Sequence, residues 1–202
     1  MIYAFTVIVI AVVAYYHWHE GLFNAACALV CVPLAGFVAF NFFEPLAGLV
    51  EQLVERSPAQ GYEDFACLVL LFTIALGLLR GLTHGLNPKE IYFIPAANQI
   101  GGGIAGALTG YLVAGFLICA METLPWHQNF LGFEPYQEKE TPARRWFPPD
   151  RVWLVAMHRG GLAPVLSRGG DSPTFDPDGS FESNYFRFRR YAEPPGGEGA
   201  KQ

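Results

Sequence analysis

Long apolar runs broken by short polar links fill the chain up to about Met121. From Met1 to Tyr16 there is no charge and Thr6 is the one polar interruption; Tyr15, Tyr16 and Trp18, residue types suited to a membrane interface, close the run. This pattern predicts a first spanning helix over about residues 2–18. The competing reading, a cleaved signal peptide, lacks the basic n-region such a segment carries. His17-Trp18-His19-Glu20-Gly21 then forms a link that reverses the chain. Leu22 to Phe43 is long enough to cross a hydrocarbon core of about 30 Å, with Pro33 as a kink and Glu44-Pro45 as its end.

After Pro45 the pattern changes. Leu46, Leu49, Val50, Leu53 and Val54 recur at helical spacing while Glu51, Gln52, Glu55 and Arg56 take the opposite face. Two readings stay open, an amphipathic segment on the membrane surface and an extension of the second helix into water. Ser57 to Gly61 is a turn, and a third span covers about residues 65–80, preceded by Glu63 and Asp64 and followed by Arg80-Gly81. Those flanks suit the helix dipole. Gly85, Pro88 and Pro95 mark Leu82 to Ala97 as a loop or short surface helix that delivers Asn98 as the N-cap of a fourth span, about residues 98–121.

Within the fourth span Gly102, Gly106, Gly110 and Ala114 fall at intervals of four, so on a helix they make one ridge of minimal side chains. Such a ridge lets a second helix pack backbone to backbone inside a membrane, and these residues are the expected helix-packing site. The fold class predicted is therefore an all-α membrane protein with four transmembrane helices over residues 1–126, an amphipathic interfacial segment and a largely irregular C-terminal tail over 127–202.

The tail is punctuated by proline from Pro135 to Pro195 and is expected to be partly disordered, ordering on contact. One helix is predicted from Pro149 to Arg159, with Pro149 in its first turn, Val152, Trp153, Val155, Ala156 and Met157 as apolar content and Gly160-Gly161 as its stop. Asp176 to Gly179 is a turn. Phe181, Tyr185, Phe186, Phe188 and Tyr191, set among Arg187, Arg189 and Arg190, suit docking on lipid headgroups or on a partner.

Composition agrees with this division. Of 202 residues 52% are hydrophobic and only 15% charged, too apolar for an ordinary soluble domain. The net charge of −5 provides no basic surface of the kind that nucleic-acid binding requires. Cys27, Cys31, Cys67 and Cys119 all sit in apolar segments and act as small buried hydrophobes; no metal site and no cofactor is expected. His17, His19 and Glu20 are the one cluster that offers metal ligands or a pH-sensitive group, set against polar residues that simply turn a link. No Asp, Glu, Lys or Arg lies near a span centre, which disfavours a coupled transporter.

Four spans, the first link ending in Gly21-Leu22, and Asn98-x-x-x-Gly102-x-x-x-Gly106-x-x-x-Gly110 together resemble the colicin V production protein (CvpA-like) family, over about residues 1–121. The resemblance implies a small four-helix protein of the bacterial inner membrane, linked to colicin V production and envelope maintenance, without enzyme activity and with both termini outside the cytoplasm. Family members carry an Asp at the position of Asn98, an Arg near Thr109, and basic residues around the first link where this chain has His17, His19 and Glu20. Asn98 supplies a capping oxygen but no carboxylate, so charge-dependent chemistry is not carried over. Some relatives append a trypsin-like domain; Gly170-Asp171-Ser172-Pro173 superficially resembles its nucleophile loop, but the tail is too short for that fold and lacks the rest of a catalytic constellation.

The function expected is a non-enzymatic envelope scaffold or accessory to toxin or peptide production and export. The alternative is an oligomeric pore or transport subunit. Expected partners are the lipid bilayer and either other membrane proteins or further copies of the chain.

Overall fold

The computed structural model describes residues 2–54, 62–85, 94–124 and 148–161, together with Phe181. They form five helices: α1 (Ile2–Glu20), α2 (Leu22–Val54), α3 (Glu63–Gly85), α4 (Pro95–Glu122) and α5 (Pro149–Gly161). The first four are long and apolar enough to cross a membrane, and the molecule is an all-α, multi-pass membrane protein. The turns expected at 57–61 and 176–179, the arginine and aromatic run at 185–191, and the Gly-Asp-Ser-Pro sequence at 170–173 lie outside the described residues.

Every span is longer than its apolar run, because polar residues placed at the ends stay within the helix instead of stopping it. His17, Trp18, His19 and Glu20 form the last turn of α1, so the link that reverses the chain shrinks to Gly21. Gly21 has φ of +92°, a left-handed conformation open to glycine at little steric cost, and its N–H still donates to the His17 carbonyl at 3.0 Å. α2 does not end at Glu44-Pro45. It continues through Pro33 and Pro45 to Val54, so Leu46 onward extends the second helix and is not a separate surface segment. Phe40, Phe43 and Ala47, at helical spacing on both sides of Pro45, are all buried on one face, and that packing carries the helix across the lost hydrogen bond. Arg80-Gly81 likewise lies inside α3, which runs a further turn to Gly85.

α4 is the central element. α1 packs along it, α2 packs on both α4 and α3, and α5 packs on α4 and α2. α1 and α3 make no substantial contact with each other. Apart from Thr6 and His17, α1 buries no residue fully; Val7, Ile8, Val12, Tyr15 and Tyr16 are exposed, as a lipid-facing helix requires.

The core lies toward the other end of the bundle, between α2, α3, α4 and α5. Phe72 and Phe116 stack with ring centroids 3.8 Å apart, and Trp153 meets Phe116 edge-on at 5.8 Å. Phe40 joins Phe43, Phe116, Trp153 and Phe181 in the same cluster. The helix expected from Pro149 to Arg159 is present as α5 and joins this core. α5 lays Trp153 and Met157, one turn apart, into the bundle, and both are buried, Trp153 to 0% exposure. The seat is made of small residues: a side chain at Gly36 would overlap the Trp153 ring, and one at Gly115 would overlap the Pro149 carbonyl. The Cys119 thiol also donates to the Asp150 carbonyl at 3.6 Å. Leu154 and Ala156, partly buried, pack against the same cluster.

Trp153→Ala should cost about 3–5 kcal/mol of stability, as expected for a large aromatic removed from a packed core. Trp153→Phe should cost much less, since it keeps a ring beside Phe40, Phe72 and Phe116 and removes a buried indole N–H with no hydrogen-bond partner among the described residues. Unfolding of the detergent-solubilised protein, followed by circular dichroism, measures both.

Candidate functional site

Three helix ends meet at Gly21: the C-terminus of α1, the N-terminus of α2 and the first turns of α4. Helix termini leave backbone groups without intrahelical partners, and inside a membrane water is not there to satisfy them. Asn98 meets that need for α2. Its side-chain Oδ1 accepts the Leu22 N–H at 2.8 Å. It is not the N-cap of its own helix: α4 begins a turn earlier, with Pro95 in its first turn and Ile94 at the cap position, which makes no side-chain capping bond. Proline pre-set for the first helical position wins the start of α4, and the Asn98 oxygen caps a neighbour instead.

The four-residue ridge on α4 lies against α1. A side chain at Gly102 would come within 2.6 Å of the His17 carbonyl oxygen, one at Gly106 within 2.7 Å of His17 Cβ, and one at Gly110 within 2.9 Å of Ile10 Cα. Contacts on α4 move forward as those on α1 move back, so the two helices run antiparallel with their backbones in close approach. Ala114 continues the ridge and is fully buried. Asn98 stands one step before Gly102 in the same series, and this places its oxygen at the α1–α2 turn. The spacing by four was therefore a signal for its true partner as well as for the packing face.

A second polar link joins α3. Arg80 Nη1 donates to the Asn24 carbonyl at 3.2 Å, and Arg80 Nη2 pairs with Glu20 Oε2 at 3.4 Å. His17 Nδ1 lies 3.2 Å from the same carboxylate oxygen but off the line of a hydrogen bond, so this nitrogen, on a residue only 3% exposed, has no hydrogen-bond partner among the described residues. Sequence reasoning placed Glu20 and Arg80 as flanks of separate spans and missed their pairing. The available signal was that Arg80 is the sole Lys or Arg inside the four apolar helices. The cluster of His17, His19 and Glu20 is split by the helix: His17 turns inward beside Glu20, while His19 is exposed and meets the ring of Tyr15 edge-on at 4.8 Å.

A cleft of about 280 Å³ adjoins this junction. Val12, Val13, Val32, Leu76 and Val113 form its apolar walls, with Thr109 between them; Tyr16, His17 and Arg80 line its polar end. The Thr109 hydroxyl donates to the Ala105 carbonyl at 2.9 Å, so its proton is held within α4. The chemistry on offer is a cation, a phenol and an imidazole at one end of an apolar groove, with the Glu20 carboxylate behind Arg80.

The family model described as colicin V production protein matches residues 4–140 of this chain, which take in α1 to α4 and exclude α5. No curated protein and no solved structure matches.

Asn98→Ala should destabilise the fold by about 0.5–2 kcal/mol, the usual worth of a cap, whereas Asn98→Asp keeps an acceptor for the Leu22 N–H and should retain most of that stability. Gly106→Leu should have the larger effect, lowering the yield of folded, membrane-extracted protein, because the added side chain meets α1 backbone and cannot be accommodated by a rotamer change. Size-exclusion profiles and unfolding midpoints of the purified variants distinguish the two.

Proposed function

The chain belongs to the colicin V production protein family, and on that premise we propose that it is a non-enzymatic scaffold or accessory of the bacterial inner membrane that supports toxin or peptide production and export. The observation that carries this reading is the use to which the junction puts its polar groups. Asn98, Arg80 and Glu20 tie α1, α2, α3 and α4 to one another at Gly21. Side chains arranged this way hold a shape.

A scaffold needs surface for other molecules, and the ridge of Gly102, Gly106 and Gly110 is already covered by α1. Association with other membrane proteins, or with a second copy, must then use the outward faces of the spans, where Ile8, Leu70, Leu78 and Ile104 are exposed. Lipid covers the remainder. Four spans return the chain to the side on which it started, and in this reading both termini lie outside the cytoplasm, as the family resemblance implies.

The cleft favours a second reading, a pore or transport subunit, because it combines apolar walls with a polar end. The two readings part experimentally. Expressed in a colicin V-producing strain that lacks its own family member, the chain should restore toxin production, and the Gly106→Leu variant should not. Liposomes containing the purified chain should show no ion or solute flux above protein-free liposomes. Flux that falls on substituting Thr109→Leu in the cleft would overturn the scaffold reading in favour of transport.

A further inference from the structure

We propose that the cleft between α1 and α3 is the seat of one anionic phospholipid, with its acyl chain along the apolar walls and its phosphate at Arg80. The opening exists because α1 and α3 each pack on the α2–α4 pair and make no substantial contact with each other. What remains between them is a groove open sideways, floored by Ala28 and Val32 of α2 and by Thr109 and Val113 of α4.

The helix register sorts its lining by depth. His17 and Tyr16 belong to the last turns of α1, Arg80 to the corresponding end of α3 and Ala28 to the early turns of α2, so all lie toward the Gly21 end of the bundle. Val12 lies more than a turn deeper on α1, Leu76 a turn deeper on α3, Val32 a turn deeper on α2 and Val113 a turn deeper than Thr109 on α4. At about 1.5 Å of rise per residue the apolar part extends roughly 6 Å or more below the charged level. A polar end near the interface and an apolar end toward the bilayer centre match the two parts of a lipid.

The polar end has donors to offer. Arg80 has five N–H groups, and the structure engages them with the Asn24 carbonyl and the Glu20 carboxylate at 3.2 and 3.4 Å, while its side chain stays 32% exposed. His17 lines the same end, but its buried Nδ1 lies 3.2 Å from the Glu20 carboxylate, so Arg80 is the donor on which the site turns. Arg–phosphate pairing is charge-assisted and frequently bidentate, and basic pockets between spans are suited to lipid headgroups. Glu20 is the competing anion. A phosphate must share Arg80 with it, and this opposition gives the site a distinctive mutational signature.

Other occupants fit less well. A soluble phosphate would leave the walls of Val12, Leu76 and Val113 uncovered, and Val12 is 63% exposed on the lipid-facing side. A helix, about 10 Å across, exceeds a groove of about 280 Å³. A groove of that volume, close to the lower limit of about 300 Å³ for small-molecule sites, takes the headgroup-proximal segment of one acyl chain and leaves the rest of the chain in the bilayer.

The test is native mass spectrometry of the full-length chain in detergent, titrated with phosphatidylglycerol and with phosphatidylcholine of the same chains. One phosphatidylglycerol should be retained, about tenfold more tightly than phosphatidylcholine: both present a phosphate to Arg80, but the choline cation of the second lipid offsets that charge, and a tenfold ratio corresponds to about 1.4 kcal/mol of electrostatic difference. Arg80→Gln should abolish that preference, Arg80→Lys should keep part of it, and Glu20→Gln should increase it by removing the competing carboxylate. Leu76→Trp, on a half-buried wall, should weaken both lipids by filling the groove. If Arg80 serves only as a structural partner of Glu20, Arg80→Gln and Glu20→Gln will lower binding together, and the proposal fails. Equal retention of the two lipids, or displacement of phosphatidylglycerol by glycerol phosphate at equal concentration, also overturns it. Should Arg80→Gln not fold, preserved preference in Arg80→Lys with lost binding in Leu76→Trp supports the site, and intact binding in Leu76→Trp refutes it.

Discussion

Close approach of α4 to α1 along the Gly102, Gly106 and Gly110 series is the constraint on which the rest of the bundle depends. Between helices in lipid there is little gain from removing apolar surface from water, so dispersion contacts and hydrogen bonds must hold them together. α1 brings no large side chain of its own into the core, and its only fully buried residues are Thr6 and His17. Its place is therefore set by how near the α4 backbone can come. That proximity in turn puts Asn98 at the Gly21 turn, where its oxygen caps α2, and puts the end of α1 where Glu20 reaches Arg80 of α3. One stripe of missing side chains thus fixes the relative position of four helices.

The two ends of the molecule use different means. At the Gly21 end the helices are joined by hydrogen bonds and an ion pair, and the structure is open enough to leave a cleft. Toward the other end the helices are joined by stacked and edge-on aromatic rings, closed over by α5. Cohesion from rings is short-range and tolerant of neighbours, whereas the polar junction is directional and admits few substitutes for Asn98 or Arg80. The Gly21 end therefore has the chemistry for recognition, and the aromatic end supplies most of the packing.

Much of this was legible in the sequence. Run length and charge distribution located four spans, and the interval of four located the contact face of α4, because both follow from helix periodicity. The ends were harder. His17 to Glu20 and Arg80-Gly81 look like links since they are polar, yet they stay helical, with Glu20 and Arg80 paired across the bundle. Pro45 looks like a stop, yet Phe43 and Ala47 fix the same face on both sides of it. Asn98 was singled out correctly as a capping residue and attached to the wrong helix, because a cap made across 76 positions of sequence has no local signature. The Glu20–Arg80 pair escaped for the same reason.

α5 shows how a helix outside the family-matched residues 4–140 can become part of the fold. Its seat consists of Gly36 on α2, Gly115 on α4 and the rings of Phe40, Phe72 and Phe116, all of which belong to the matched region. Gly36 leaves a depression that the Trp153 indole fills, and Gly115 makes room for the first turn of α5 at Pro149. The amphipathic character of α5 is then explained by one anchored face, with Val155 left exposed on the other. The seat draws on α2, α3 and α4 at once, since Trp153 touches Phe40, Phe72 and Phe116. The aromatic end and the glycine stripe are therefore two faces of the same helix, α4, which presents Phe116 to the aromatic cluster and Gly110 to α1.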